Sequence, residues 1–169
     1  DFRTCVLNAI VWTAKIEVPK NGVKSASNPT ERVQEKPETS TVKPVEAKNA
    51  LFASKLITTK TKGHAVEVKA KIKGIQNFYL TVSDGSNSYS CDWADWGLPR
   101  LIDSSGEETR LTDLKWKYAK SGWGKVQIDK NCGGRPLRIN GKNIAYGIGT
   151  HANSVIQYEL PKDHKFVEF

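Results

Sequence analysis

The stretch FYLTVSDG, residues 78–85, carries apolar residues at every second position and ends in the turn-forming pair Asp84-Gly85. This period of two places Phe78, Leu80 and Val82 on one face of a β-strand. The stretch VEVKAKIK, residues 66–73, lies just upstream and alternates apolar residues with charged ones in the same way. Both stretches therefore predict strands with one face buried and the other in water.

Short runs of this kind continue through the rest of the chain, and clusters of Gly, Asn, Asp or Pro separate them. The further candidate strands are residues 98–102, 125–128, 137–139, 155–160 and 166–169. Because no strong helical pattern lies between them, residues 50–169 are predicted to form an all-β antiparallel sandwich. The last candidate strand ends at Phe169 without a closing turn, so we expect the sandwich to be truncated at its C-terminus.

The first 49 residues differ in character from this β-rich region. Residues 1–18 place Phe2, Cys5, Val6 and Ala9 at helical spacing, and further apolar residues occupy the other faces. We expect such a helix to be buried, either as the last helix of a missing domain or against the sandwich. Residues 19–49 contain four prolines and hardly any large apolar residue, which predicts a flexible linker.

The charge of the chain does not indicate a nucleic-acid-binding protein. The net charge is +8, and six lysines stand against one acid between Lys55 and Lys73. Those lysines alternate with apolar residues, as on the solvated face of an edge strand, although an anionic polysaccharide could use the same face. No apolar run reaches the roughly 18 residues of a membrane span. A disulfide between Cys91 and Cys132 is left open by the sequence.

The sequence carries no catalytic motif, which predicts that the chain is not an enzyme. The three histidines lack metal-site spacing, and no Gly-x-Ser-x-Gly elbow is present. GIGTHA, residues 147–152, lacks the third glycine and the helix of a phosphate-binding loop, so Gly147 and Gly149 are expected to shape the backbone between strands. No cofactor is expected except a structural Ca²⁺, for which Asp92 or Asp95 would be ligands.

Tryptophan placement points to a binding surface. Trp93 lies just after a candidate strand, and Trp123 lies in the glycine-rich turn 121–124. An exposed indole beside glycine offers a flat face on which a sugar ring can stack, while nearby polar side chains bind its hydroxyls. For both tryptophans the alternative is ordinary core burial, which is the expectation for Trp96 and Trp116.

Several ordered motifs resemble the NPCBM module, a carbohydrate-binding module associated with glycoside hydrolase family 98, over residues 64–169. The motifs are VSDG (82–85), CDWADW (91–96), PRL (99–101), LTDL (111–114), SGWG (121–124), NGK (140–142), GIGTHANS (147–154) and YELP (158–161). A separate stretch, residues 7–23, resembles the last helix and exit of ThuA-like (trehalose-utilisation) domains.

The NPCBM resemblance implies a galactose-binding-like jelly-roll sandwich that is non-catalytic. It implies a module that tethers a larger bacterial multidomain protein to glycans, galactose-containing ones among them, in an extracytoplasmic or secreted setting. The alternatives are a fragment of a hydrolase whose active site lies outside this chain and a protein–protein interaction sandwich. The predicted carbohydrate-binding residues are Trp93 and Trp123 for stacking and Asp113, His151 and Asn153 for hydroxyl groups. The His151 ring has an equal alternative, in which it satisfies buried backbone groups.

Overall fold

Antiparallel β-strands make up most of the regular structure. The structure is a computed structural model that describes residues 8–13, 50–58, 60–85 and 90–169. Its strands are β1 (Asn8–Thr13), β2 (Ala50–Ala53), β3 (Asn77–Ser83), β4 (Trp93–Gly97), β5 (Arg100–Asp103), β6 (Glu108–Arg110), β7 (Tyr118–Lys120), β8 (Gln127–Ile128), β9 (Arg138–Ile139), β10 (Lys142–Asn143), β11 (Gly147–His151), β12 (Ser154–Glu159) and β13 (Phe166–Glu168). Two short 3-10 turns, Lys62–His64 and Leu111–Asp113, complete the set. The all-β prediction is confirmed.

The first layer of the sandwich is a five-stranded sheet in the order β2-β1-β3-β12-β7. Its central strand β3 buries Phe78, Leu80 and Val82 and leaves the alternate residues partly exposed, as the period of two predicts. Tyr158 of β12 stacks on Phe78 with a centroid separation of 5.4 Å. The stretch that predicted the fold therefore lies at the centre of this layer.

The second layer consists of two three-stranded sheets, β4-β11-β8 and β13-β5-β6, and β9 and β10 form a separate two-stranded pair. The hydrophobic core combines residues of both layers. Among them are Phe78, Leu80, Val82, Ile156 and Tyr158 from the first layer and Ala94, Trp96, Leu101, Ile148 and Phe169 from the second. Trp96 is buried and Trp116 packs against the core half-buried, in line with their expected placement.

The helix prediction for residues 1–18 is wrong over Asn8–Thr13, which form strand β1. This strand pairs antiparallel with β3, with Val11 opposite Leu80, and with β2 on its other side. A short run in which most residues are apolar is compatible with a central strand of a sheet as well as with a buried helix. The β-branched residues Ile10, Val11 and Thr13 favour the strand. The rest of residues 1–18 and the predicted linker 19–49 lie outside the described residues.

The strand predicted over residues 66–73 is reduced to a single bridge between Lys71 and Glu168. Ala70 exchanges both backbone hydrogen bonds with Phe169, at 3.0 and 2.9 Å. Ala70 and Ile72 are buried and Lys71 is exposed, so the alternation holds there, whereas Val66 is 38% exposed. Within this stretch, residues 70–72 are hydrogen-bonded to the backbone of residues 167–169, and the alternation of buried and exposed residues holds there.

Two further findings concern the cysteines and the membrane. Cys132 is a buried free thiol, so the Cys91–Cys132 disulfide left open by the sequence is not formed. Within the described ranges, no helix combines the length and hydropathy that a membrane span requires.

Candidate functional site

The side chains of Trp93, Trp123 and His151 meet at one end of the β4–β11 pair. Trp93 begins β4, and His151, at the end of β11, is its partner in the register. The ring centroids of Trp93 and Trp123 are 5.6 Å apart, and those of Trp123 and His151 are 5.9 Å apart. Trp123 is 53% exposed and His151 is 4% exposed. We call these three residues the aromatic cluster, and Trp123 forms its outer face.

Trp93 is the first residue of strand β4, although the sequence placed it just after a candidate strand. The signal that could have placed it is the alternation in β4, where Ala94 and Trp96 are buried and Trp93 and Asp95 are half-buried. Trp93 also packs against the loop that follows Asn131. A Cβ atom on Gly133 would lie 2.6 Å from Cη2 of Trp93, so glycine is required for this contact.

The turn that carries Trp123 is tied to the end of β11 through Ser121. The Ser121 hydroxyl donates to the carbonyl oxygen of Trp123 at 2.6 Å and accepts the backbone N–H of His151 at 3.0 Å. The N–H of Gly122 donates to the carbonyl oxygen of His151 at 3.0 Å. A Cβ atom on Gly122 would clash with the backbone of Ala152 and Asn153. Ser121 was not predicted as a site residue, although the SGWG motif contains it.

The His151 ring makes a hydrogen bond to the backbone. Its Nδ1 lies 2.7 Å from the carbonyl oxygen of Ala152, and because a carbonyl only accepts, Nδ1 carries a proton. The ring thus satisfies a backbone group, which is one of the two roles considered for it from the sequence. Its role toward a sugar hydroxyl stays a prediction.

Asn153 and Asp113 lie outside the aromatic cluster. The Asn153 side chain accepts the N–H of Asp84 at 2.9 Å and donates to the Asp84 carboxylate at 3.3 Å, which holds the turn after β3. Asp113 is exposed at the end of the 3-10 turn Leu111–Asp113. Among the described residues, no hydrogen bond joins Asp113 to the aromatic cluster. The hydroxyl-binding roles of both residues stay predictions.

Gly147 and Gly149 lie inside β11 rather than between strands. All five residues of β11 are buried, and β4 and β8 flank this strand in its sheet. A Cβ atom on Gly147 would clash with the carbonyl oxygen of Trp96, and one on Gly149 with the backbone of Lys130 and Asn131. Because glycine has no side chain, the backbone of Trp96 can approach Gly147 closely, and that of Lys130 and Asn131 can approach Gly149.

Asp92 and Asp95 do not converge on one point. Asp92 precedes β4 and is 1% exposed, whereas Asp95 lies within β4, half-buried on the same face as Trp93. Across the described part of the chain, no group of three or more His, Cys, Asp or Glu residues is arranged to hold a metal ion. A calcium site at either aspartate stays a prediction.

Burial changes the electrostatics around Asp95. It disfavours the charged carboxylate and raises the pKa of Asp95 to about 6, although a backbone hydrogen bond from Arg138 acts in the opposite direction. This bond runs from the Arg138 N–H to Oδ2 at 3.4 Å, while Oδ1 is buried without a hydrogen-bond partner in the described structure. Burial, reinforced by the charge of Asp95, also raises the pKa of Cys132 to about 11.

A cleft of about 1240 Å³ runs along β4 beside the aromatic cluster. It separates β4 from the ends of β5 and β13, the strands of the neighbouring sheet that line its far side. Trp93 and Asp95 line it from β4, and Asn131, Arg135 and Arg138 line it from the segment that leads into β9. Trp93 therefore belongs both to the aromatic cluster and to the cleft.

The sequence of the chain is similar to a known domain family and to a bacterial protein. The family model of the NPCBM/NEW2 domain matches residues 29–102 and 107–168, and so begins inside the predicted linker. A Renibacterium salmoninarum protein named "Putative endo-alpha-N-acetylgalactosaminidase" is 33% identical over 95 residues, which cover 52% of this chain and 6% of that protein. The chain thus spans a small part of the length of this relative. No solved structure matches the chain.

Proposed function

Because the chain belongs to the NPCBM/NEW2 domain family, we propose that it is a carbohydrate-binding module whose aromatic cluster stacks on a sugar ring. The observation that carries this proposal is the 53% exposure of Trp123 in a turn fixed by hydrogen bonds. A large apolar ring held in water by the backbone contributes little to the core. It offers a prearranged face to a ligand.

The chemistry of the cluster suits a sugar. The C–H groups on one face of a pyranose pack against an indole, and stacking contacts between flat groups contribute about 1 kcal/mol each beyond burial. Trp93 supports Trp123 from behind at 5.6 Å, so little conformational entropy is lost when a ligand stacks. We expect a single stacked sugar to bind in the millimolar range, about −4 kcal/mol.

The module is proposed to act beside a catalytic domain rather than as one. NPCBM domains are a non-catalytic, carbohydrate-binding type of module, and the name of the Renibacterium salmoninarum relative describes a glycosidase. In this proposal the chain tethers a larger protein to glycans, galactose-containing ones included. Holding an enzyme close to its substrate raises the effective concentration without any new catalytic contact.

A glycan array tests the binding proposal. The chain is compared with Trp123→Ala and with Tyr118→Ala, a matched control because Tyr118 is an exposed aromatic residue (49%) on β7, outside the cluster. We expect the wild type and Tyr118→Ala to bind the same glycans and Trp123→Ala to lose at least tenfold in affinity. Unchanged binding by Trp123→Ala, or no glycan bound by the wild type, would overturn the assignment.

Incubation with labelled oligosaccharides tests the non-catalytic part of the proposal. We expect the chain alone to release no reducing sugar. Hydrolysis that survives repurification would show that the chain has an active site of its own.

A further inference from the structure

The cleft beside β4 is continuous with the aromatic cluster through one residue. Trp93 contacts Trp123 at a centroid separation of 5.6 Å and also lines the cleft. Asp95, two residues further along β4, is on the same face as Trp93. Since residues i and i+2 of a strand lie about 6.5–7 Å apart, the two side chains span roughly one sugar ring.

The cleft wall near Trp93 combines an aromatic ring with hydrogen-bonding groups of both kinds. Asp95 provides an acceptor, and Asn131, Arg135 and Arg138 lie close by on the loop and strand that follow. The Asn131 carboxamide fixes that loop by accepting the N–H groups of Gly133 at 3.1 Å and Arg135 at 3.0 Å. An aromatic surface with a few fixed polar groups is the usual composition of a small-ligand site.

We propose that this cleft is a second sugar subsite, so that the module recognises a neutral oligosaccharide of at least two residues rather than a single sugar. The inference rests on the carbohydrate-binding function proposed above. The volume supports it, because about 1240 Å³ exceeds the roughly 300–1,000 Å³ of pockets that hold one drug-sized ligand. A sugar hydroxyl can donate to Oδ2 of the half-buried Asp95, whose Oδ1 is buried, while hydroxyl oxygens accept from the guanidinium groups of Arg135 or Arg138.

The charges that line the cleft favour an uncharged ligand. Lys69 pairs with Glu67 at 3.1 Å, and Arg100 pairs with Glu108 at 2.9 Å. These pairs leave Arg135 and Arg138 against Asp95 and Glu168, so the lining has no excess positive charge to attract the carboxylate of an acidic sugar. An added carboxylate is therefore expected to lower affinity in this subsite.

Titration calorimetry of the full chain with galactose, lactose, lacto-N-tetraose and 3′-sialyllactose tests the proposal. For the wild type we expect lacto-N-tetraose to bind at least tenfold more tightly than galactose, and 3′-sialyllactose more weakly than lacto-N-tetraose. Asp95→Asn and Arg135→Ala should remove most of the oligosaccharide gain and leave galactose affinity unchanged. Asp163→Asn, at an exposed aspartate outside this cleft, should retain the gain.

The outcomes separate this inference from the function on which it rests. Equal affinity for galactose and lacto-N-tetraose, with both lost in Trp123→Ala, would overturn the second subsite and leave the stacking platform intact. A gain that persists in both cleft variants would also overturn it. If none of the four sugars binds, recognition of galactose-containing glycans fails and the subsite fails with it.

Discussion

The indole rings of Trp93 and Trp123 lie 5.6 Å apart and are inclined at 38°, although 30 positions separate the two residues in the chain. Their meeting depends on glycines that carry no ligand-binding group. Gly122 lets the Trp123 turn approach the backbone at Ala152, and Gly133 lets its loop approach the edge of the Trp93 ring. The geometry of the aromatic cluster is therefore set by backbone approach as much as by the aromatic side chains.

Gly133→Ala is expected to displace the Trp93 ring without unfolding the chain. The added methyl group would lie 2.6 Å from Cη2 and 3.0 Å from Cζ3 of Trp93, and a half-buried ring edge can shift where a backbone cannot. Affinity for an array-identified glycan should fall about three- to tenfold, since misplaced stacking loses roughly 1 kcal/mol. The exciton couplet of the tryptophan pair in the circular dichroism spectrum should weaken in parallel. An unchanged couplet with unchanged affinity would contradict the contact.

Asp95 is expected to make the fold less stable as the pH rises. Its pKa is raised from 3.8 to about 6, so between pH 4 and pH 6 the folded state binds more protons than the unfolded state. Its contribution to the free energy of unfolding is thus fully present below pH 4 and is lost as the pH rises through 6. Between pH 4 and pH 7 the free energy of unfolding of the wild type should therefore fall by about 1–3 kcal/mol more than that of Asp95→Asn, as measured by urea unfolding.

The control for that measurement is Asp163→Asn, which makes the same chemical change at an exposed position. Identical pH profiles of the wild type and Asp95→Asn would show that the Asp95 carboxyl is solvated. If the second subsite exists, Asp95→Asn gains stability at pH 7 and loses oligosaccharide affinity, as is common for residues kept for binding.

Cys132 is expected to be an inert thiol. Burial and the nearby Asp95 charge raise its pKa from 9.0 to about 11, so the thiolate fraction near pH 8 falls about 100-fold. In a Cys5→Ser/Cys91→Ser background, Ellman's reagent should react at least 100-fold more slowly with the folded chain than with the chain in urea. A folded-state rate close to the unfolded one would show that Cys132 is accessible.

Gly149→Ala is expected to be more destabilising than an alanine substitution at a turn glycine. A Cβ at residue 149 would clash with the backbone of Lys130 and Asn131, which cannot move independently of β8 and β11. Overpacking of this kind costs roughly 2–4 kcal/mol. Gly74→Ala is the comparison, because Gly74 has φ +75° and no atom within 4 Å of an added Cβ, so only the backbone term of about 1 kcal/mol applies. Equal losses in chemical denaturation would contradict the steric account.

The sequence predicted the parts of the fold that depend on local pattern. Phe78, Leu80 and Val82 alternate regularly, and β3 carries them as predicted. Residues 1–18 combine helical spacing with apolar residues on the other faces, a pattern that does not exclude a strand, and over residues 8–13 pairing with β3 decides for the strand. The domain boundaries proposed from composition stay predictions.

The candidate site was less accessible to sequence reasoning because it is assembled by long-range pairing. Trp93 and Trp123 were singled out individually, but their contact depends on the register of β4 with β11 and on the turn held by Ser121. Neither constraint is visible in spacing along the chain. The cleft beside Asp95 depends on the gap between two sheets, which no local motif encodes.

The hydroxyl group of Tyr158 provides a last prediction, on stability. The Tyr158 side chain is 1% exposed, and its hydroxyl has no hydrogen-bond partner among the described residues. Burial therefore raises the pKa of the phenol, and the unsatisfied hydroxyl costs about 1–3 kcal/mol of stability. Tyr158→Phe keeps the ring stacked on Phe78 at 5.4 Å and removes that cost, so its melting temperature should equal or exceed that of the wild type. Tyr158→Ala loses the ring as well and should cost about 3–5 kcal/mol. If Tyr158→Phe instead loses more than about 1 kcal/mol, the hydroxyl makes a net stabilising hydrogen bond and the core contains a polar contact.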